Sequence, residues 1–165
     1  MRILASSKAR TLITAALLFA APFTPTDDGT AISPLSASLR PSAHLAPEDV
    51  VRIQLEALRK NDGEDRGIAV AFRFASPANK RSTGPLPRFI SMIRNGPYSL
   101  MLAYRKILYA PVRVEGDTAM QRVTLIGKER VADFVFLLGR QRSAPCRGCW
   151  MTEAVLNLPA AEQAV

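Results

Sequence analysis

The segment FRFASPANKRSTGPLPRF, from Phe72 to Phe89, divides the helical half of this chain. Ser76-Pro77 predicts the end of one helix, because the residue before a proline is pushed out of the helical region. Thr83-Gly84-Pro85 predicts the start of the next helix, with Thr83 as its N-cap. The segment therefore indicates a connection between two helices, and its phenylalanines are most simply core residues.

Helical periodicity continues on both sides of this segment. A first helix is predicted from Pro47 through Lys60, where Val51, Leu55 and Leu58 recur at helical spacing. A second helix is predicted over residues 64–74. The third begins at Thr83-Gly84-Pro85 and ends at Asn95-Gly96-Pro97.

Beyond Tyr98 the apolar period changes to two, which is typical of strands. A hairpin is predicted from two strands, 111–115 and 119–126, joined by a Gly116-Asp117 turn. Further strands are predicted over 130–141 and 149–158. Three helices followed by an antiparallel meander predict an α+β fold, with the helices packed on one face of the sheet.

The chain of 165 residues divides into one domain and its extensions. A basic head precedes a short apolar run, TLITAALLFAAPF, at 11–23, and small residues follow at Gly29-Thr30-Ala31. This order is typical of a signal or transit peptide over residues 1–31, and the apolar run is too short for a stable membrane span. Residues 32–46 are then a linker, 47–158 the domain and 159–165 a tail.

The leader predicts export. In a bacterium the destination would be the periplasm or the medium. In a photosynthetic eukaryote, the Ser- and Ala-rich tract at 31–46 also fits a plastid protein, with the thylakoid lumen as one destination.

The formal net charge is +8, and its basic excess is uneven. No acidic residue lies between Asp65 and Glu115, whereas that tract contains nine lysines and arginines. A positive field of this kind attracts an anionic small ligand or an acidic protein partner, although it also fits a solvated basic surface. Nucleic acid is disfavoured, because Tyr98, Tyr104 and Tyr109 form no recognition motif and because the chain is predicted to be exported.

The stretch AFRFASPANKRSTGPLPRFISMIRNGPY (Ala71–Tyr98) resembles the signature of a bacterial and plant family, domain of unknown function four-eight-six-four. Members carry a Phe-Ala-Ser-Pro block, a Thr-Pro or Thr-Gly-Pro helix start, then Arg-Phe, a Met and a Gly-Tyr or Pro-Tyr. The later GCWMTEAV (Gly148–Val155) is similar to the closing strand of the plant-type branch. The resemblance spans Pro47 to Leu158.

That family is similar to the nuclear-transport-factor-two-like (SnoaL-like) superfamily. The similarity implies a cone of curved antiparallel sheet wrapped by N-terminal helices around a pocket. It also implies that a homodimer through the sheet is an option. It implies no activity.

The central segment is the first candidate ligand site. Its polar side chains could ring an anion at the mouth of a helix: Ser76, Asn79, Lys80, Thr83 and Arg88. The alternative is purely structural, with the prolines and Thr83 as helix punctuation.

Catalysis has few candidates. His44, the single histidine, lies in the linker, which removes any Ser-His-Asp or Cys-His arrangement from the domain. Superfamily enzymes often use an Asp in the cone, and Asp133 and Glu153 are the plausible counterparts. We therefore expect a non-enzymatic small-ligand or partner-binding module. A cofactor-free lyase or isomerase that uses Asp133 or Glu153 is the alternative, unless both carboxylates point to solvent.

Cys146 and Cys149 form a C-x-x-C pattern. A small disulfide, a redox pair and a simply buried Cys149 are all compatible with it. Two cysteines and one histidine are too few ligands for zinc, so neither a metal nor a cofactor is expected.

Overall fold

The computed structural model describes residues 38–158. In this part of the chain the helices come first: α1 (Pro47–Arg59), α2 (Arg66–Arg73), α3 (Pro77–Thr83) and α4 (Leu86–Asn95). A 3₁₀ helix, Pro97–Leu102, leads to the strands. These are β1 (Lys106–Tyr109), β2 (Arg113–Glu115), β3 (Thr118–Ile126), β4 (Val131–Arg140) and β5 (Trp150–Leu158). The order of helices before strands confirms the predicted α+β class.

Helix α1 forms as its sequence predicts. Pro47 occupies its first turn, and the Asp49 carboxylate accepts a hydrogen bond from the Ala46 N–H at 3.1 Å. An acidic side chain in this position satisfies a free backbone donor and complements the helix dipole. The predicted apolar face, Val51, Leu55 and Leu58, is buried in the core.

The prediction of three helices was wrong in number, because residues 77–83 form a helix of their own. Helix α2 ends at Arg73, before Ser76-Pro77 as expected, and the Ser76 hydroxyl caps α3 by accepting from the Asn79 N–H at 3.1 Å. Thr83 is not the N-cap of the following helix. It is the last residue of α3, and its hydroxyl donates to the Asn79 carbonyl at 3.0 Å.

The sheet is antiparallel and open, with β4 between β3 and β5. Strands β1 and β2 both pair with β3, along different halves of its length. The predicted hairpin is present, with β2 and β3 joined at Gly116-Asp117. The free edge of β5 is partly covered by the chain after α2, because Ser76 N–H donates to the Thr152 carbonyl and Thr152 N–H to the Phe74 carbonyl, each at 2.9 Å.

The helices cover one face of the sheet and bury its alternate residues. Fully buried side chains on this face include Val123, Leu125, Phe134 and Phe136. The opposite face carries exposed apolar side chains, among them Met120, Val131 and Leu156. The expected homodimer would use such a face, and it stays a prediction.

The predicted leader, the first part of the linker and the tail lie outside residues 38–158, so export stays a prediction. Within the described part of the chain, no helix is both long and apolar enough to cross a membrane.

Candidate functional site

A cavity of 250 Å³ lies between the helices and strand β5. Its walls are mostly apolar, and the apolar residues come from α1, α2, α4, the 3₁₀ helix and the sheet: Leu58, Ala71, Phe89, Met92, Ile93, Met101, Phe136, Ala154 and Val155. Tyr98 completes this part of the lining, and its hydroxyl donates to the Val155 carbonyl at 3.0 Å. Ligand sites typically combine such an apolar wall with a few polar groups.

The polar groups of the cavity come chiefly from α3 and β5. Asn79, Ser82 and Thr83 lie on α3, and Glu153 lies on β5. The two elements are tied together, since the Asn79 side-chain amide donates to the Thr152 carbonyl at 3.0 Å. The unexpected helix α3 therefore supplies most of the polar wall.

Gln54 also lines the cavity, but its amide is already satisfied. Its Nε2 donates to the Ala71 carbonyl at 3.0 Å, and its Oε1 accepts from the Thr152 hydroxyl at 2.6 Å. Gln54 and Thr152 are both buried, so these bonds offset the cost of removing the groups from water. We therefore assign Gln54 and Thr152 a structural role in the cavity wall.

Glu153 owes its position to an irregularity in the sheet. Leu137 pairs with Ala154 and Leu138 with Thr152, which leaves Glu153 as an extra residue in a β-bulge. Bulges of this kind redirect a side chain and are frequent beside functional sites.

Two neutral donors hold the Glu153 carboxylate. Oε2 accepts from the Ser76 hydroxyl at 2.7 Å, and Oε1 accepts from Nε2 of Gln141 at 3.0 Å. Gly139 makes room for it, because a Cβ at that position would lie 2.9 Å from Oε1. The carboxylate is thus held in place by a cap residue, a loop amide and a strand glycine.

Glu153 also lines a second, more open groove of 360 Å³. This groove lies along β2, β3 and β4, where Arg113, Met120 and Leu137 contribute to its walls. The Glu153 carboxylate therefore faces both the cavity and this groove. The walls of the cavity contain the larger share of apolar core side chains.

The structure brings together only part of the predicted anion site. Asn79 and Thr83 line the cavity. Ser76 does not line it, but its hydroxyl donates to the carboxylate of Glu153, which does. Lys80 and Arg88 do not line it. The five residues therefore do not form one ring, and the charged group at the cavity is a carboxylate.

Lys80 is directed elsewhere. Its Nζ donates to the Arg73 carbonyl at 3.2 Å and lies 5.4 Å from the centre of the Phe72 ring. Burial lowers the pKa of the Lys80 ammonium, because a charged group loses solvation there. Arg88 is exposed beside Gly84, whose positive φ suits a glycine at the end of α3.

Part of the basic tract is neutralised by acidic residues just outside it. Arg66 pairs with Asp62 and Glu64, and Arg94 pairs with Asp65. The fold thereby reduces the continuous positive field that the sequence suggests.

Asp133 lies away from both cavities, on the face of the sheet opposite the helices. Its carboxylate accepts from the Thr124 hydroxyl and pairs with Arg122. Hydrogen bonds from these two side chains lower the pKa of Asp133. Of the two predicted carboxylates, only Glu153 reaches a cavity.

The structure joins Cys146 and Cys149 in a disulfide within the β4–β5 loop. The loop is also closed by backbone bonds, from Gln141 N–H to the Cys149 carbonyl at 2.8 Å and from Gly148 N–H to the Gln141 carbonyl at 2.7 Å. The disulfide loop thus fixes the backbone of Gln141, the residue that donates to Glu153.

Sequence reasoning missed Gln141 and the bulge. A glycine inside a strand often marks a bulge or a close approach, so Gly139 was the available signal. Among residues 38–158, no group of three or more His, Cys, Asp or Glu side chains is arranged to hold a metal ion.

Comparison with known families identifies the class of this protein. A model described as "Domain of unknown function (DUF4864)" matches residues 42–165, so the chain belongs to that family. The resemblance drawn from residues 71–98 is confirmed to this extent, and the more distant similarity to the nuclear-transport-factor-two-like superfamily stays a prediction. No curated protein and no solved structure matches the chain.

Proposed function

We propose that the domain is a non-enzymatic module that binds a small, largely apolar ligand in the cavity between the helices and β5. The observation that carries the proposal is a partly open cavity of 250 Å³ whose walls include buried core side chains such as Phe89, Ile93 and Met101. Small-molecule sites in proteins are typically preformed concave pockets of this kind, with mostly apolar walls. A ligand that fills the space would recover the contacts that the lining side chains lack.

The composition of the walls supports this assignment. The apolar lining includes Phe89, Ile93 and Met101, and the polar lining includes Asn79 and Glu153. Apolar walls supply affinity through burial, and a few fixed polar groups orient the ligand. Met92 and Met101 add adaptable walls, because methionine adjusts readily to different shapes.

Export remains part of the proposal. The leader-like pattern of residues 1–31 suggests export, and disulfides form and persist mainly in oxidising compartments. The N-terminal residue of the protein isolated from its own cells tests this proposal, which expects removal of the leader and fails if Met1 or residue 2 is found.

The enzymatic alternative now rests on Glu153 alone. A lyase or isomerase would use this carboxylate as a general base on a substrate in the cavity. Tyr98 is the one other acid or base among the lining residues, and its proton is engaged by the Val155 carbonyl. With a single free carboxylate at the site, binding is the function that we favour.

The distribution of methionines gives a direct test of the binding proposal. Met92 and Met101 line the cavity, whereas Met151 is buried elsewhere. In methyl-labelled protein titrated with toluene, we expect saturable shifts of the Met92 and Met101 methyl resonances and no shift of Met151. Equal shifts at all three, or none at Met92 and Met101, would refute the proposal.

A filled cavity provides the matched control. Ala71 lines the cavity, and Ala69 lies on the same helix without lining it. Ala71→Met should abolish the toluene response, whereas Ala69→Met should preserve it. Thermal unfolding of both variants shows whether each one is folded.

A further inference from the structure

Glu153 differs from every other carboxylate of the described domain in one respect. Within residues 38–158, all other aspartates and glutamates are either exposed or paired with an arginine. Glu153 is partly buried, and no lysine or arginine in that range forms an ion pair with it. The cavity therefore contains a carboxylate without a cationic partner.

The hydrogen bonds of Glu153 leave capacity for a ligand. A carboxylate offers about four lone-pair positions, and the Ser76 hydroxyl and the Gln141 amide occupy two of them. Both partners are neutral donors, so neither balances the charge. In partly desolvated surroundings, a cation that approaches such a carboxylate gains more than it would in water.

The cost of keeping the carboxylate in this place indicates a purpose. Its position requires a bulge in β5, a glycine at position 139 and the Gln141 side chain of the disulfide loop. The bonds from Ser76 and Gln141 tie the Glu153 side chain into the fold, but neither donor supplies a positive charge to balance the carboxylate. Buried charges are usually retained where they have a partner.

We propose that the ligand of this cavity is a small amine with an apolar aromatic or aliphatic body, whose ammonium group binds the Glu153 carboxylate. This inference rests on the proposed function and names its ligand class. The apolar part of the ligand would lie among Phe89, Ile93 and Met101. No lysine or arginine is among the lining residues, so the cavity itself offers no counter-charge to the anion that the basic tract suggested.

The test uses three probes with the same ring and different charges: benzylamine, toluene and benzoate. Each is titrated at neutral pH into the methyl-labelled protein and into its Glu153→Gln variant. The proposal expects benzylamine to bind the wild-type protein at least tenfold more tightly than toluene does. In Glu153→Gln this preference should disappear, with toluene affinity unchanged within twofold.

The outcomes separate the two proposals. If toluene binds as tightly as benzylamine, or if Glu153→Gln leaves the preference intact, the cationic ligand class is wrong and the cavity remains a binding site. Tighter binding of benzoate overturns it as well. If no probe shifts Met92 or Met101, the proposed function itself fails.

A control variant with the same change of charge is available on the surface. Glu129 is exposed near Lys128, away from the cavity, so Glu129→Gln should leave the affinity for benzylamine unchanged. A drop equal to that of Glu153→Gln would mean that the effect is a long-range one of net charge, and this result would overturn the proposal. Raising the pH above the pKa of the amine should remove the preference for benzylamine over toluene in the wild-type protein.

Discussion

The hydroxyl of Ser76 joins two parts of the chain that lie 77 residues apart by donating to the Glu153 carboxylate at 2.7 Å. The same oxygen accepts from the Asn79 N–H and so caps α3. One buried serine therefore begins a helix and positions the charged group of the cavity. The Ser76 hydroxyl therefore links the candidate site to helix α3, which the sequence did not predict.

Replacing Ser76 should be costly. Ser76→Ala removes a cap, worth about 1 kcal/mol, and a hydrogen bond to a charged group, worth about 1.5–3 kcal/mol. We expect a loss of roughly 2.5–4 kcal/mol in the free energy of unfolding, measured with urea. Ser82→Ala, on the same helix with an exposed hydroxyl bonded to the Ala78 carbonyl, should change it by less than about 0.5 kcal/mol. Similar losses for both variants would contradict the role assigned to Ser76.

Gly139 should tolerate a side chain only when Glu153 is shortened. Gly139→Ala places a Cβ 2.9 Å from Glu153 Oε1, and we expect a loss of about 1–3 kcal/mol from overpacking. In a Glu153→Ala background the same change should cost little, because the clash is gone. A double-mutant cycle with no coupling between the two positions would refute this account.

The matched glycine for that experiment is Gly63. No atom lies within 4 Å of a Cβ built there, so Gly63→Ala should be close to neutral. A large effect at Gly63 would show that the loss at position 139 is not specific to the contact with Glu153.

The disulfide should stabilise the domain modestly. A bond between Cys146 and Cys149 closes a very short loop, for which the chain-entropy model gives about 2 kcal/mol. We expect a dithiol reductant to lower the melting temperature of the wild-type protein and to leave that of Cys146→Ala unchanged. An equal effect of the reductant on both proteins would contradict a contribution from this bond.

Asp133 should contribute to stability at neutral pH and not in acid. Its pKa is lowered from the ordinary 3.8, so the folded state holds its charge more readily than the unfolded state does. This contribution is fully present above pH 3.8 and is lost as the pH falls through the lower folded-state pKa. Because the ion pair is partly exposed, we expect less than about 1 kcal/mol.

Urea unfolding of the wild-type protein and of Asp133→Asn as a function of pH measures the contribution of Asp133 to the free energy of unfolding. The two curves should differ at neutral pH and converge in acid. A difference that grows as the pH falls would have the wrong sign for a lowered pKa.

The sequence predicted the regular elements well where local signals agreed. The start of α1 is predicted by Pro47, Glu48 and Asp49. The turn between β2 and β3 is predicted by Gly116-Asp117. These features depend on neighbours along the chain, so periodicity and turn chemistry are sufficient to find them.

The site was less accessible from the sequence because its contacts are distant along the chain. The sequence predicts that Ser76-Pro77 ends a helix, but Ser76 begins α3, and its N–H donates to the Thr152 carbonyl of β5. Lys80 and Arg88 lie close to Asn79 in the sequence, but α3 turns Asn79 toward the cavity and Lys80 toward Phe72. Glu153 was a candidate, yet its importance follows from a bulge and from Gln141, which no local pattern reveals.

The measurement that tests the central claim most directly is the position of a bound probe. In complexes of the methyl-labelled protein with toluene, we predict nuclear Overhauser effects from the ring protons to the methyl groups of Met92, Met101 and Ile93, which line the cavity. Contacts confined to Met120 and Leu137 would place the probe in the open groove on the sheet and would contradict the account.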